Sequence, residues 1–180
     1  MEVNFKTRNI AITDVETTGL DSSVHEVIEI GLVVVNQPHF EVVDTLELKI
    51  KPTHIETAEA MALKVNGYTA DSWQDAVTLS EAMVLYAQKT QGAIFCSHSV
   101  TFDYSFIKEA FRTTKVTNTM DYHVLDIPTM VWMKYRESSL ERLNLNKVAA
   151  FLGIPPEPEV HRAINGAMTA LNIIKKLSLN

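Results

Sequence analysis

The chain has 180 residues, 46% of them hydrophobic and 21% charged, so it can bury a core without disulfide or metal staples. Sixteen basic against twenty-two acidic side chains leave a net charge of -6, which argues against a protein that coats duplex DNA through counterion release. No run of eighteen apolar residues occurs and Met1-Glu2-Val3-Asn4 lacks a signal-peptide pattern, so neither a membrane span nor export is expected and the cytoplasm is the default.

Segments 9–15, 27–36 and 41–50 are rich in Ile, Val, Leu and Thr. They predict three sequential strands in an antiparallel meander, separated by the turn signals Gly19-Leu20-Asp21 and Asn36-Gln37-Pro38. From Glu56 onward, helix-like stretches at 56–65, 78–90, 102–112, 128–136, 144–152 and 162–177 are interrupted by short apolar strands at 93–97 and 122–126. Strands followed by alternating helices and strands imply an α/β fold, a mixed sheet covered by helices. With no internal repeat or low-complexity break, residues 1–180 read as a single domain.

In the last helix Ile164, Ala167, Met168, Leu171 and Ile174 form an apolar stripe. Phe102, Phe106, Ile107 and Ala110 form another, in a helix whose N-cap is expected at Thr101. Pro155-Pro156-Glu157-Pro158 must be an extended, stiff connector, which sets His161 at a helix entrance. Cys96 reads as a core thiol, and Trp73 and Trp132 as packing residues.

The alternation of a strand turns Asp14 and Glu16 to one face, about 7 Å apart along the backbone. Two carboxylates at the end of an apolar strand are costly to desolvate unless a cation sits between them, and oxygen donors suit Mg²⁺ or Mn²⁺. On spacing alone, a strand that frays into a solvated turn with both acids exposed remains an equal alternative.

Asp14-Val15-Glu16-Thr17-Thr18-Gly19-Leu20 resembles the first motif of the DEDDh exonucleases, the DnaQ-like family of the epsilon proofreading subunit, ribonuclease T and oligoribonuclease. Ser97-His98-Ser99-Val100-Thr101-Phe102-Asp103 resembles the second motif, with Ser99 in place of the usual Asn. Val124-Leu125-Asp126-Ile127 is similar to the strand that follows it, and His161-Arg162-Ala163 to the opening of the third motif. Order and spacing agree from about residue 8 to 177.

The resemblance implies the ribonuclease H-like fold, a five-stranded mixed sheet with helices on both sides. It further implies a two-metal hydrolase releasing 5′-mononucleotides from 3′ ends of single-stranded DNA or short RNA, as in proofreading or DNA repair, with a polymerase or other protein as partner and no membrane. Asp14 would bridge two Mg²⁺ or Mn²⁺ ions, Glu16 would bind the first, Asp103 would support them, and His161 would be the general base. In the family Thr17, Thr18, Gly19 and Leu20 hold the terminal nucleotide.

One position departs from that pattern. The family places an Asp five residues after the histidine, where this chain has Gly166. Glycine inside a helix costs about 1 kcal/mol relative to Ala, so the former side chain is read as serving something other than folding. The missing ligand implies an inactivating substitution or natural loss of activity, hence a weak or silent nuclease. Asn165 does not replace it, because one helical step rotates its side chain by about 100°. The alternative is a non-catalytic nucleic-acid or protein-binding module that keeps the fold.

Lesser signals are His98, Ser99, Phe102 and Met61 as substrate contacts, although core packing is the expected role of Phe102 and Met61 and a structural one that of His98. Tyr104 beside Asp103 offers a further aromatic face for a base. Lys134, Arg136, Arg142 and Lys147 are candidates for phosphate contact or for an ordinary solvated face.

Overall fold

The computed structural model describes residues 4–179; the N-terminal reading on Met1 to Val3 lies outside them. Five strands form one mixed sheet: β1 (Ile10–Thr17), β2 (Val27–Val35), β3 (Val42–Lys49), β4 (Ile94–Ser97) and β5 (Val124–Asp126), in the order β3-β2-β1-β4-β5. β1, β2 and β3 pair antiparallel as the meander reading requires, while β4 joins β1 and β5 joins β4 in parallel. The helices are α1 (Ala60–Asn66), α2 (Leu79–Lys89), α3 (Val100–Thr114), α4 (Ile127–Tyr135), α5 (Leu145–Phe151) and α6 (Ala163–Ser178). No helix among the described residues is long and apolar enough to cross a membrane.

Strand alternation sorts the sheet into two apolar faces. Ala11, Val15, Ile30, Leu32, Val34 and Phe95 pack against α2 and α3, chiefly on Met83, Tyr86, Phe106 and Ile107. Ile10, Ile12, Val33, Val35 and Cys96 pack against α4, α5 and α6 on the other side. Cys96 is fully buried, and burial pushes its thiol far above the usual range, as a core thiol requires. β2 is buried along all nine residues because both of its faces are covered.

Several boundaries differ from the sequence reading for local reasons. α3 starts at Val100 with Ser99 as its flanking residue, so Thr101 lies within the first turn instead of capping it. The Val100 N–H is directed at Asp126 Oδ1, 3.4 Å away, which explains why no hydroxyl cap is needed. The stretch 56–65 divides into a 3-10 turn at Ile55–Thr57 and the short α1, which Gly67 ends in the left-handed conformation at φ 66°. Trp73 is buried, but Trp132 is 51% exposed and so is not a packing residue of the core.

The stripe of α6 is also shifted. Met168 faces solvent, and Ala163, Gly166, Ala167 and Ala170 carry the contact with the sheet together with Leu171 and Ile174. Small residues allow the helix to lie close to the strands, and it comes close to backbone at Gly31. A Cβ there would stand 2.1 Å from the carbonyl carbon of Ala163, so only glycine fits beneath the first turn of α6. At Gly166 the nearest atoms a Cβ would meet are those of the Asp14 carboxylate, the end of a side chain.

Gly31→Ala is therefore expected to cost about 1–3 kcal/mol or more, because backbone must move. Gly166→Ala, which gains helix propensity of about 1 kcal/mol, is expected to be close to neutral. Urea denaturation of both variants checks this; equal losses would show that the backbone approach at Gly31 is not the limiting contact.

Candidate active site

One face of the β1–β2 ladder changes character along its length. Ile10 opposite Val35 and Ile12 opposite Val33 are apolar, and then come Asp14 opposite Gly31 and Glu16 opposite Glu29. The alternation that buries the first two pairs under α6 thus carries both predicted carboxylates onto that face. The third predicted carboxylate arrives from the first turn of α3. Asp103, 3% exposed, accepts the Val15 N–H on Oδ1 at 3.3 Å, at the C-terminal end of β1.

These acids disturb one another. Burial holds the Asp14 carboxyl well above the usual range, and the charges of Asp103 and Glu16 push it the same way. Glu16 is pushed up to about 7, first by burial and then by Glu29 and Glu157, with Arg162 opposing. Burial pushes Asp103 up to about 7 against the hydrogen bond from Val15. A hard cation relieves a strain of this kind, and the donors are all oxygens, so the chemistry of the set fits Mg²⁺ or Mn²⁺.

The geometry is not that of a finished cage. Among the described residues, no three His, Cys, Asp or Glu side chains are close enough to hold a metal ion as they stand. Asp14 is turned into the space beside α6, where its Cγ lies 2.6 Å from the place a Cβ on Gly166 would take. Asp14 thus fills part of the place where the third motif would bring a side chain.

The loop after β1 is firmly held. Thr17 donates its hydroxyl to the Gly19 carbonyl at 2.6 Å, Thr18 Oγ1 accepts the Glu26 N–H, and the Thr18 carbonyl accepts the Glu59 N–H just before α1. The His25 ring covers Gly19 so closely that a Cβ there would overlap it, and its Nε2 lies 3.3 Å from Glu59. Leu20 and Met61 stand 75% and 68% exposed on the two segments so joined, which corrects the core-packing role expected of Met61. Phe102 is partly buried beside Phe106, as expected, and Tyr104 lies against Phe95.

His98 has the structural role expected of it. Its Nε2 donates to the Leu143 carbonyl at 2.7 Å, and burial holds the imidazole below its ordinary value. Ser99 is exposed at the start of α3. His161 is half-buried at the entrance to α6, with its backbone N–H donated to the Val65 carbonyl of α1. The basic residues are dispersed: Lys134 donates to the carbonyls of Leu177 and Leu179, Arg136 pairs with Glu137, and Arg142 and Lys147 line a separate cavity of about 470 Å³.

Four residues that the sequence reading gave no role belong to the site. Glu29 is fully buried, accepts the Ala163 N–H at 2.9 Å and faces Arg162 Nη1 at 3.4 Å. Arg162 also donates to the Asn66 carbonyl at 3.1 Å and lies over the Trp73 ring, 5.4 Å from its centroid. Gly31 admits the helix, and Glu157 acts on Asp14 and Glu16 from the proline-rich connector. The signal for Glu29 and Gly31 was present, since they are the only charged residue and the only glycine in the apolar run Val27–Val35.

The exonuclease family model of ribonuclease T matches residues 11–174. A PolC-type DNA polymerase III of Caldanaerobacter subterraneus subsp. tengcongensis is 28% identical over 166 residues, covering 92% of this chain and 11% of that protein. Its counterpart in Clostridium perfringens is 27% identical over 164 residues, covering 91% and 11%. The chain therefore spans 11% of the length of these relatives. Among solved structures, E. coli Exonuclease I in complex with a dT13 oligonucleotide superposes with a TM-score of 0.80 at 12% identity, over 96% of this chain and 41% of that one. A 3′-exonuclease described for recognition of a histone mRNA stem-loop gives 0.73 at 16% identity, over 95% and 81%. The sheet and its flanking helices are thus the ribonuclease H-like fold of these neighbours. Because the family model runs from β1 to α6, through every stretch that carries a motif, the chain belongs to the DnaQ-like, DEDDh class of 3′-5′ exonucleases.

Proposed function

We propose that the chain is a metal-dependent exonuclease domain that removes nucleotides from the 3′ ends of single-stranded nucleic acid, DNA in the first place. The observation that carries this reading is the gathering at one end of the sheet of the half-buried Asp14 and Glu16 with the buried Asp103, each held above its usual proton affinity. The PolC-type relatives and the oligonucleotide bound by Exonuclease I favour DNA and a polymerase context. Divalent cations bound there would supply Lewis-acid chemistry, acidifying water and offsetting charge on the departing oxygen. Asp14 and Glu16 from β1 and Asp103 from α3 would hold them. His161 takes a proton from water at the mouth of α6, and the Thr17–Leu20 loop receives the terminal nucleotide, with Leu20 exposed to meet a base.

Gly166 weakens the site on this reading. If the absent ligand is worth ~4 kcal/mol in the transition state, the rate is lower on the order of a thousandfold. The second reading, binding without cleavage, draws on the same glycine and on the unfinished cage. An oligonucleotide labelled at its 5′ end and incubated with Mn²⁺ separates the two. Slow stepwise shortening is expected, lost in Asp14→Asn and raised on the order of a hundredfold or more in Gly166→Asp, provided Asp14 turns from the helix to admit the new side chain. Retention of the strand without shortening by both parent and Gly166→Asp would discard the enzyme and leave the binding module.

The metal-free acids also set a pH dependence. Glu16 and Asp103 stand at about 7 in the fold, above their unfolded values. Their contribution to stability is thus complete below the unfolded values and is lost as pH rises through 7. His98, held below its ordinary value, acts in the opposite sense, but it is one imidazole against a group of carboxylates. In EDTA the melting temperature is expected to be lower at pH 8 than at pH 5.5, and Mn²⁺ to restore more of it at pH 8. A melting temperature that rises over this range without metal would contradict the burial of these acids.

A further inference from the structure

β1 does not run straight into its loop. Its pairing with β2 shifts by one residue between Glu16 and Thr17, the kind of irregularity that re-aims a chain beside a site. Past the shift, Thr17 and Thr18 are buried, 6% and 0% exposed, so each of their carbonyls needs a donor. Both find it on α1. The Thr18 carbonyl accepts the Glu59 N–H at 2.8 Å, where α1 begins, and the Thr17 carbonyl accepts Asn66 Nδ2 at 3.1 Å, where it ends.

Asn66 is 1% exposed, and its amide has one sense. Oδ1 accepts the Tyr68 N–H at 3.1 Å, which Gly67, left-handed at φ 66°, turns back toward it, so Nδ2 is the atom that faces the Thr17 carbonyl. Aspartate here would set oxygen against oxygen, and alanine would leave the buried Thr17 carbonyl bare. The same end of α1 also receives the entrance to α6. The Val65 carbonyl accepts the His161 N–H at 3.2 Å, and the Asn66 carbonyl accepts Arg162 Nη1 at 3.1 Å. The Val160 side chain lies over Gly67, where a Cβ would come within 2.8 Å of it. Val65, Asn66 and Gly67 are thus held to residues 160–162, and the side chain of Asn66 joins them to the loop after β1.

We propose that Asn66 is a positioning residue for the 3′-terminal nucleotide: its amide ties the Thr17–Leu20 loop to the end of α1 that holds His161, and so fixes the spacing between loop and imidazole. This assignment rests on the reading above, in which that loop receives the terminal nucleotide. Asn66 acts through the Thr17 carbonyl and does not itself touch the nucleotide. Loss of the bond lets the loop move relative to His161, while contacts with the rest of the strand remain.

The test compares two single-stranded DNAs of equal length, one linear with a 3′ hydroxyl and one circular, because only the linear strand has an end to seat. Binding to the full chain is read by fluorescence anisotropy in Ca²⁺, with the strands verified intact on a gel, so that the readout is independent of turnover. The parent is expected to prefer the linear strand, and Asn66→Ala to reduce that preference about fivefold or more. Asn66→Asp keeps the acceptor for Tyr68 and loses the donor to Thr17, so a similar reduction is expected, and it carries the test where the alanine variant melts below the assay temperature. Thr90→Ala is the control for stability alone. It removes a buried hydroxyl that donates to the Tyr86 carbonyl at 2.8 Å, beside the start of β4 at the opposite end of the sheet. It is expected to change the preference by less than about twofold. A preference kept by a folded Asn66 variant would overturn the assignment and leave the end-recognising loop in place. An equal fall in Thr90→Ala would overturn it as a loss of stability. A parent that binds both strands alike would remove the reading of the loop, and the assignment with it.

Discussion

The first turn of α6 rests on bare backbone. Gly31 removes the side chain that would hold the helix off β2, and Glu29, two residues away on the same face, receives the Ala163 N–H that the helix would otherwise leave unbonded. A carboxylate at a helix N-terminus is also favoured by the helix dipole, which offsets part of the cost of burying it. Arg162 completes the clasp by reaching Glu29, the Asn66 carbonyl and the Trp73 ring together. This docking fixes where His161 and position 166 fall relative to Asp14 and Glu16.

The clasp also explains how so much negative charge persists in one region. Glu16 and Glu29 are direct cross-strand partners, an arrangement that repels in an antiparallel pair. Glu29 is held by the helix N-terminus and by Arg162, and Asp103 by the Val15 N–H, whereas Asp14 and Glu16 have less to satisfy them. Acids held by the fold and acids left open thus sit side by side and differ in what answers their charge. The parallel pairing of β1 with β4 is what makes the third one possible. It brings the chain out of β4 beside the end of β1, so that the opening turn of α3 presents Asp103 to the Val15 N–H. Sites at the C-terminal ends of parallel strands arise in this way in open α/β sheets.

Much of this was legible in the sequence, because it depends on local pattern. The strand runs around Ile10, Val27 and Val42 and the acidic pair after Ile12 announce themselves by alternation, and the proline run announces a stiff connector. What escaped depends on partners far along the chain. Met168 fits a stripe written on large apolar residues, but the helix presents its small residues to the sheet because the sheet has a glycine there. Thr101 looks like a cap, yet Asp126 on another strand meets the first N–H of α3. Trp132 is large and apolar but falls on the outer side of α4. Glu29 reads as a lone acid in an apolar strand until Ala163, 134 residues later, gives its charge a donor.

Position 166 joins these two kinds of constraint. A carboxylate on the helix and Asp14 in its present rotamer cannot share the space, so an acid there must push Asp14 away from the helix. Without that acid, Asp14 relaxes onto the helix and the cage is left open. The consequences for binding and for rate then separate. Affinity for a cation depends on the number and charge of donors, whereas the reaction depends on holding them within a fraction of an ångström of the productive arrangement. Acids from β1 and α3 alone can keep the first property while losing much of the second.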